Sequence, residues 1–301
     1  MSERYGLLVR RASMLAVATA LLLIVIKGAA WWMTGSVSML ASIADSLLDL
    51  LASFTSMLIL RFSLMPADDN HSFGHGKAES LASLMQGAFI SGSAIFLLLQ
   101  GIERLINPQP VSSVWLGTVV TVISIGFTLA LVYYQRYVIA QTQSPAIKAD
   151  KLHYQTDLLM NVAVLLSLIL SGYGFAYADG LFALLIALYI FISAGKMLFD
   201  AVQLLLDRAL PDDEVAQIWA IAREQADVIG IHDLRTRRSG AVRFIQLHVE
   251  LDDNLPLWRA HQITDDLEHR LLATFPLSDI IIHQEPTSLV QQEAQTQGSL
   301  G

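Results

Sequence analysis

Two pairs of ionisable residues stand inside stretches otherwise apolar enough to cross a membrane. Asp45 and Asp49 lie four residues apart in one stretch, and His153 and Asp157 four apart in another. On a helix that spacing puts each pair on one face, about 6 Å apart. A charged side chain at the bilayer centre costs about 2.5–3.5 kcal/mol on insertion scales. Two aspartates on one face also repel each other unless something positive sits between them. Three carboxylates and one imidazole facing one another would form an oxygen- and nitrogen-rich tetrahedral site for a divalent cation. The plainer alternatives are polar glue between helices, or aspartates near enough to water to stay hydrated. Two such pairs on separate helices favour the ion site, because ionisable groups inside a membrane are functional by default.

Two further clusters share this chemistry. Asp68, His71 and His75 put one carboxylate and two imidazoles in a short loop, Asp68-Asp69-Asn70-His71-Ser72-Phe73-Gly74-His75-Gly76-Lys77, whose glycines permit tight folding. The spacing is not that of the zinc-protease helix motif, and a hydrated polar loop is the alternative. Near the C-terminus stand His232, His248, His261, His283 and Glu285. Histidines at strand edges can converge when a sheet closes, and a neighbouring carboxylate could bridge two metals. The alternative is scattered surface histidines, which is the reading given to His269. The chain has no cysteine, so disulfides, thiolate nucleophiles, zinc fingers and iron–sulfur clusters are excluded. Any metal here must be held by histidine and carboxylate.

The elements that must position these residues follow from composition. Of 301 residues 54% are hydrophobic and 15% charged, with mean hydropathy +0.51, whereas soluble domains average about 25% charged. Six apolar stretches are each long enough to cross a hydrocarbon core. They fall near Arg11–Thr34, Ser36–Leu64, Ala78–Ile106, Ser113–Val138, Ile147–Ser171 and Asp179–Leu206. Gly35, the Pro66–Gly76 loop, Asn107-Pro108-Gln109-Pro110, Gln141–Pro145 and Ser171-Gly172-Tyr173-Gly174 separate them. Arg4, Arg10, Arg11, Arg61, Lys77, Arg136, Lys148, Lys151 and Arg208 gather near one face and only Arg104 near the other, which places both termini in the cytoplasm. The first apolar stretch is too long for the core of a signal peptide and is expected to remain as a helix. Lys27 and Lys196 lie about two turns from helix ends and are expected to snorkel to the interface.

Beyond residue 208 the character changes. Residues 209–290 hold 14 acidic and 7 basic side chains, most of the formal net charge of −8. That balance, with no lysine- or arginine-rich run, argues against a nucleic-acid partner. Pro211 opens a helix with Asp212, Asp213 and Glu214 in its first turn. Ile231–Arg237 and Val242–Leu251 alternate as strands around Ser239-Gly240, Pro256–Phe275 is an amphipathic helix, and Asp279–His283 is a short strand ended by Pro286. The expected fold is an all-α membrane domain of six transmembrane helices (1–208) plus a small α+β domain in αββαβ order (209–290), with an antiparallel sheet and helices on one face. The polar tail, 291–301, is expected to be disordered.

The segments Ser42–Asp49, Pro66–Glu79, Leu152–Asp157, Leu205–Arg208, His232–Arg237 and Ile280–Pro286 resemble the cation diffusion facilitator family, and within it the bacterial members that export zinc and ferrous iron. The resemblance runs through almost the whole chain except the tail. It implies a homodimer in the bacterial inner membrane and a cytoplasmic domain like that of copper metallochaperones. It also implies a transport site at Asp45, Asp49, His153 and Asp157, and a loop site at Asp68, His71 and His75. A binuclear cytoplasmic site would use His232, His248, His261 and His283, with Glu285 as the bridging carboxylate. The family's pattern has aspartate at that last position, so Glu285 keeps the charge and moves the oxygens by about a bond length. Lys77 and Asp207 match the family's charged interlock at the dimer interface.

The expected function is therefore efflux of a divalent cation, Zn²⁺ with Fe²⁺ and Cd²⁺ also compatible, in exchange for protons. Ligands must be deprotonated to bind metal, so protons and metal compete for one site. One nitrogen and three oxygens disfavour Cu(I), which prefers sulfur. A membrane-bound metal sensor or scaffold that binds without transporting is the competing reading. An intramembrane metalloenzyme would need an open coordination position and a general base, and the sequence offers neither.

Overall fold

The computed structural model describes residues 2–35, 37–107, 115–173 and 177–298. The chain divides into two compact units, Glu3–Leu205 and the segment from Leu206 onward.

The first unit is helical: α1 (Ser2–Thr34), α2 (Val37–Ser63), α3 (Ala78–Ile106), α4 (Trp115–Thr142), α5 (Pro145–Gly172) and α6 (Ala178–Leu205). Among the described residues five of these, all but α5, are long and apolar enough to cross a membrane. In 28 residues α5 carries Lys148, Asp150, Lys151, His153 and Asp157, which dilute its apolar character. It nonetheless packs against α3, α4 and α6. The spans expected from sequence thus coincide with helices, while Pro108, Gln109, Pro110 and Gly174 of the expected turns lie outside the described residues.

The start of α5 has a clear local cause. Pro145 is at its first position, where a missing N–H costs nothing. Ser144 caps it, its Oγ accepting from the Ile147 amide at 3.2 Å. Ser144 Oγ also donates to Glu79 of α3, and the Tyr5 hydroxyl of α1 donates to the same buried carboxylate at 2.7 Å. One glutamate therefore clasps α1, α3 and the α4–α5 link.

Helices α3 and α6 meet along a seam of Ile90, Ala94, Leu97, Ala187, Ile190 and Ala194. In lipid such contacts rest on close packing rather than on hydrophobicity. A Cβ at Gly101 would lie 3.0 Å from the Leu184 amide nitrogen, and one at Gly180 2.9 Å from that of Leu105. At Gly180 a Cβ would force the facing backbone to shift, and at Gly101 it would fit only if that backbone gave way by a few tenths of an ångström.

The second unit contains α7 (Asp212–Arg223), β1 (Gly230–Ser239), β2 (Val242–Leu251), α8 (Leu257–Thr274), β3 (Ser278–Pro286) and α9 (Thr287–Gly298). The sheet order is β1-β2-β3. Alternate residues of β2, Ile245, Leu247, Val249 and Leu251, point into a core with Ile218 and Ala222 of α7 and Ile263, Leu267 and Leu271 of α8. That period of two sends Gln246, His248 and Glu250 to the other face.

Three expectations are corrected. The sheet is mixed: β1 and β2 are antiparallel but β2 and β3 are parallel, because α8 forms a crossover between them. The tail is helical as far as Gly298, since α9 is tied down at its start. There Thr287 Oγ1 donates to the Leu251 carbonyl at 3.0 Å and the Ser288 amide to Asp253 Oδ1 at 3.0 Å. Lys27 does not snorkel; its ammonium donates to Ser46 Oγ of α2 at 2.7 Å.

Candidate metal centre

In the helical unit Asp49 of α2 meets His153 and Asp157 of α5. His153 Nε2 lies 3.1 Å from Asp49 Oδ1 and 3.8 Å from Asp157 Oδ2, and one ligand atom from each residue falls within 4.8 Å of the others. His153 Nε2 is buried without a hydrogen bond of acceptable geometry, an arrangement suited to a cation among the three. Asp45, one turn earlier on α2, is exposed and lies outside this trio.

The register of α2 against α5 is held one turn away by a buried polar network that the sequence reading missed. Asp150 accepts from Gln135 Nε2 of α4 at 2.7 Å and from Ser53 Oγ of α2 at 3.4 Å. Ser53 Oγ is 2.9 Å from the Tyr154 hydroxyl, which donates to the Ala16 carbonyl of α1 at 3.0 Å. Ser53 is four residues beyond Asp49, and Asp150 three before His153. The helical spacing of Asp150 from His153 and Asp157 was the available signal.

The loop cluster is equally compact. Asp68 Oδ1 lies 3.2 Å from His71 Nδ1, and Oδ2 lies 3.3 Å from His75 Nε2. His75 is buried and its Nδ1 faces the Pro66 carbonyl at 3.1 Å. A proton held there leaves Nε2 as the lone-pair atom aimed at the cluster. The amides of His71 and Asn70 donate to Asp68 Oδ1 at 2.7 and 3.0 Å. These bonds, the His71 amide foremost, hold the Asp68 carboxyl below the usual carboxylate range.

In the second unit, strand register does the positioning. His232 pairs with His248 across β1 and β2, and His248 with His283 across β2 and β3, so three imidazoles form a row on the sheet face away from α8. Ring centroids are 5.2 Å apart for His232–His248 and 4.7 Å for His248–His283. Buried beneath them, Glu285 brings Oε2 to 3.0 Å from His232 Nε2 and Oε1 to 2.8 Å from His248 Nδ1. His283 Nε2 is 3.4 Å from the same Oε1. His232, His248 and Glu285 form the tight trio. Two carboxylates that the sequence reading missed flank it: Glu250 Oε1 at 3.3 Å from His232 Nδ1, and Asp233 Oδ2 at 3.8 Å from His248 Nε2. The alternation of His248 with Glu250 was the signal for the first. Asp233 sits in the irregularity of β1, at φ 45°, and its carboxyl is held low chiefly by the Arg235 guanidinium. His261 is exposed on α8, and Gln284, next to His283, donates to Thr264 of α8. Within one chain, His261 is therefore not brought to the trio.

Lys77 Nζ donates to the Leu205 carbonyl at 3.4 Å, and Asp207 Oδ1 accepts from Arg237 Nη1 at 3.4 Å. Lys196 and His269 are exposed.

A long-helix unit in which Asp49, His153 and Asp157 come together, followed by a small sheet domain with a histidine–carboxylate cluster, defines a class. The cation efflux transmembrane domain matches residues 13–206 and the cytoplasmic domain of cation efflux proteins matches residues 210–287. The chain belongs to the cation diffusion facilitator family, and is a multi-pass membrane transporter rather than an enzyme. It is 56% identical over 293 residues to the cation-efflux pump FieF of Escherichia fergusonii, covering 97% of this chain and 98% of that one. It is 55% identical to FieF of Shigella flexneri with the same coverage. Among solved structures, the metal-bound C-terminal domain of the CzcD transporter from Thermotoga maritima aligns with 25% of this chain and 87% of its own, at 29% identity and TM-score 0.24.

Proposed function

We propose that the protein exports divalent transition-metal cations from the cytoplasm in exchange for protons, with Zn²⁺ as the principal substrate and Fe²⁺ and Cd²⁺ as further ones. The observation that carries this is the meeting of Asp49, His153 and Asp157 across α2, which is long and apolar enough to span a bilayer, and α5, which packs among such helices. Nitrogen and oxygen donors at that spacing suit zinc and its neighbours, and Asp45 is placed on the same helix to join as the site changes shape. Each donor must lose its proton to bind the ion, so a proton gradient supplies the difference in affinity between the two sides that pumping requires.

The protein acts as a homodimer in the bacterial inner membrane, with both termini cytoplasmic. The His232–His248–Glu285 trio, with His283 at its edge, holds zinc in the cytoplasmic domain and strengthens the dimer, His261 reaching it only by rearrangement or from a second copy. Lys77 and Asp207 lock the dimer near the membrane, and the Asp68–His71–His75 cluster is a second cation site at the membrane surface.

The test is zinc uptake into inside-out vesicles under an imposed pH gradient. Wild type is expected to accumulate zinc only with the gradient, and Asp49→Ala not at all. Uptake indifferent to the gradient would end the antiport reading; zinc binding without flux would make the protein a sensor.

A further inference from the structure

Helix α1 carries one ammonium inside its span. Lys27 Nζ donates to Ser46 Oγ at 2.7 Å and to the Ser42 carbonyl at 3.3 Å, both on α2. The charge is thus fixed against the turn of α2 that bears Asp45 and leads to Asp49. Lys27 is half-buried, and its charge lies within electrostatic reach of Asp49, Asp157 and Asp45. A lysine so placed could extend its stem toward water; here two of its donors go to a neighbouring helix.

Charge balance gives this contact a purpose, taking the metal reading of Asp49, His153 and Asp157 as given. Once Asp45 joins the trio, as the proposed function requires, Asp45, Asp49 and Asp157 together carry three negative charges. A bound dication cancels two, and the remaining charge is costly in a low-dielectric surround. Lys27 supplies the missing unit.

We propose that Lys27 is the fixed counter-charge of the transport site. It makes the dication-loaded site electrically neutral, and by repelling the ion it holds the affinity below what the carboxylates and imidazole would otherwise give, so that the ion can leave. An ammonium has no lone pair, so Lys27 sets affinity without being a ligand.

The experiment is zinc titration of the full-length protein in lipid nanodiscs, in a mildly alkaline buffer, in a parent carrying His75→Ala and His232→Ala to silence the other clusters. Lys27→Met and Lys27→Gln are expected to bind zinc roughly tenfold more tightly than the parent, the size of effect a unit charge exerts across several ångströms of partly polar protein. Both are expected to release it more slowly in a flux assay. Lys27→Arg keeps the charge and should match the parent. Ser46→Ala removes the hydrogen bond but not the charge, and should also match it. Neutral variants that bind no more tightly than the parent would overturn the proposal, as would a Ser46→Ala change equal to theirs, since the contact would then be merely structural. If Asp49→Ala leaves zinc binding unaltered, it is the metal site itself that fails.

Discussion

His232 and His248 face each other across an antiparallel strand pair, and Glu285 reaches both of them, at 3.0 and 2.8 Å. Glu285 is the carboxylate within ion-pair distance of all three imidazoles of the row. Replacing it with glutamine keeps the shape and removes the charge that a dication needs. Glu285→Gln is expected to lower the zinc affinity of this cluster by at least about tenfold, measured by equilibrium dialysis of full-length protein with the loop and transport sites silenced. Glu285→Asp should retain most of it. Equal affinity in all three forms would remove Glu285 from the ligand set.

Asp150 is buried with Gln135 and Ser53 as partners, one turn from His153. Asp150→Ala leaves a buried amide and a hydroxyl short of an acceptor, a loss of roughly 1–3 kcal/mol. Thermal unfolding in detergent should register that loss, and zinc flux should fall because α5 loses its register against α2. Asp150→Asn keeps an acceptor oxygen and is expected to lie in between.

Gly101 and Gly180 set the closeness of α3 and α6. Added methyl groups there meet backbone, which cannot swing aside as a side chain can. Gly180→Ala is expected to destabilise the membrane unit by about 1–3 kcal/mol, read as a lower unfolding midpoint. Gly195→Ala, with open space around it, should change nothing.

Glu214 accepts from Arg243 at 2.7 and 3.0 Å, and that guanidinium holds its carboxyl below the usual range. A depressed folded-state pKa adds stability that is present above the unfolded value and lost as pH falls through the folded one. Glu214→Gln should therefore lower the unfolding midpoint of the soluble unit at neutral pH. The difference from wild type should shrink as the buffer is acidified through the carboxylate range. A difference that is constant with pH would assign the effect to packing.

Much of this was legible in the sequence because the bilayer is a strict reader. The helices could be placed by length and apolarity, and Asp49, His153 and Asp157 stood out because charge is costly there. Lys27 was misjudged for the opposite reason: a flexible stem is compatible with escape to water, and only the neighbouring helix shows where the ammonium goes. Asp150 was overlooked among the lysines around it, since nothing local tells a buried carboxylate from a hydrated one. The parallel pairing of β3 depended on where α8 returns the chain, a long-range matter. The tail's helix hangs on the contacts of Thr287 and Ser288 with the end of β2 and the loop beyond it, partners some 36 residues away.

The row of His232, His248 and His283 exists only in one alignment of the three strands. Were β2 to slip by a single position, its imidazole would turn inward among the leucines and isoleucines while an aliphatic side chain took its place outside. Coordination and burial thus impose the same frame on the sheet. An ion clasped there would act as a proofreader, stabilising the correctly threaded domain and no other.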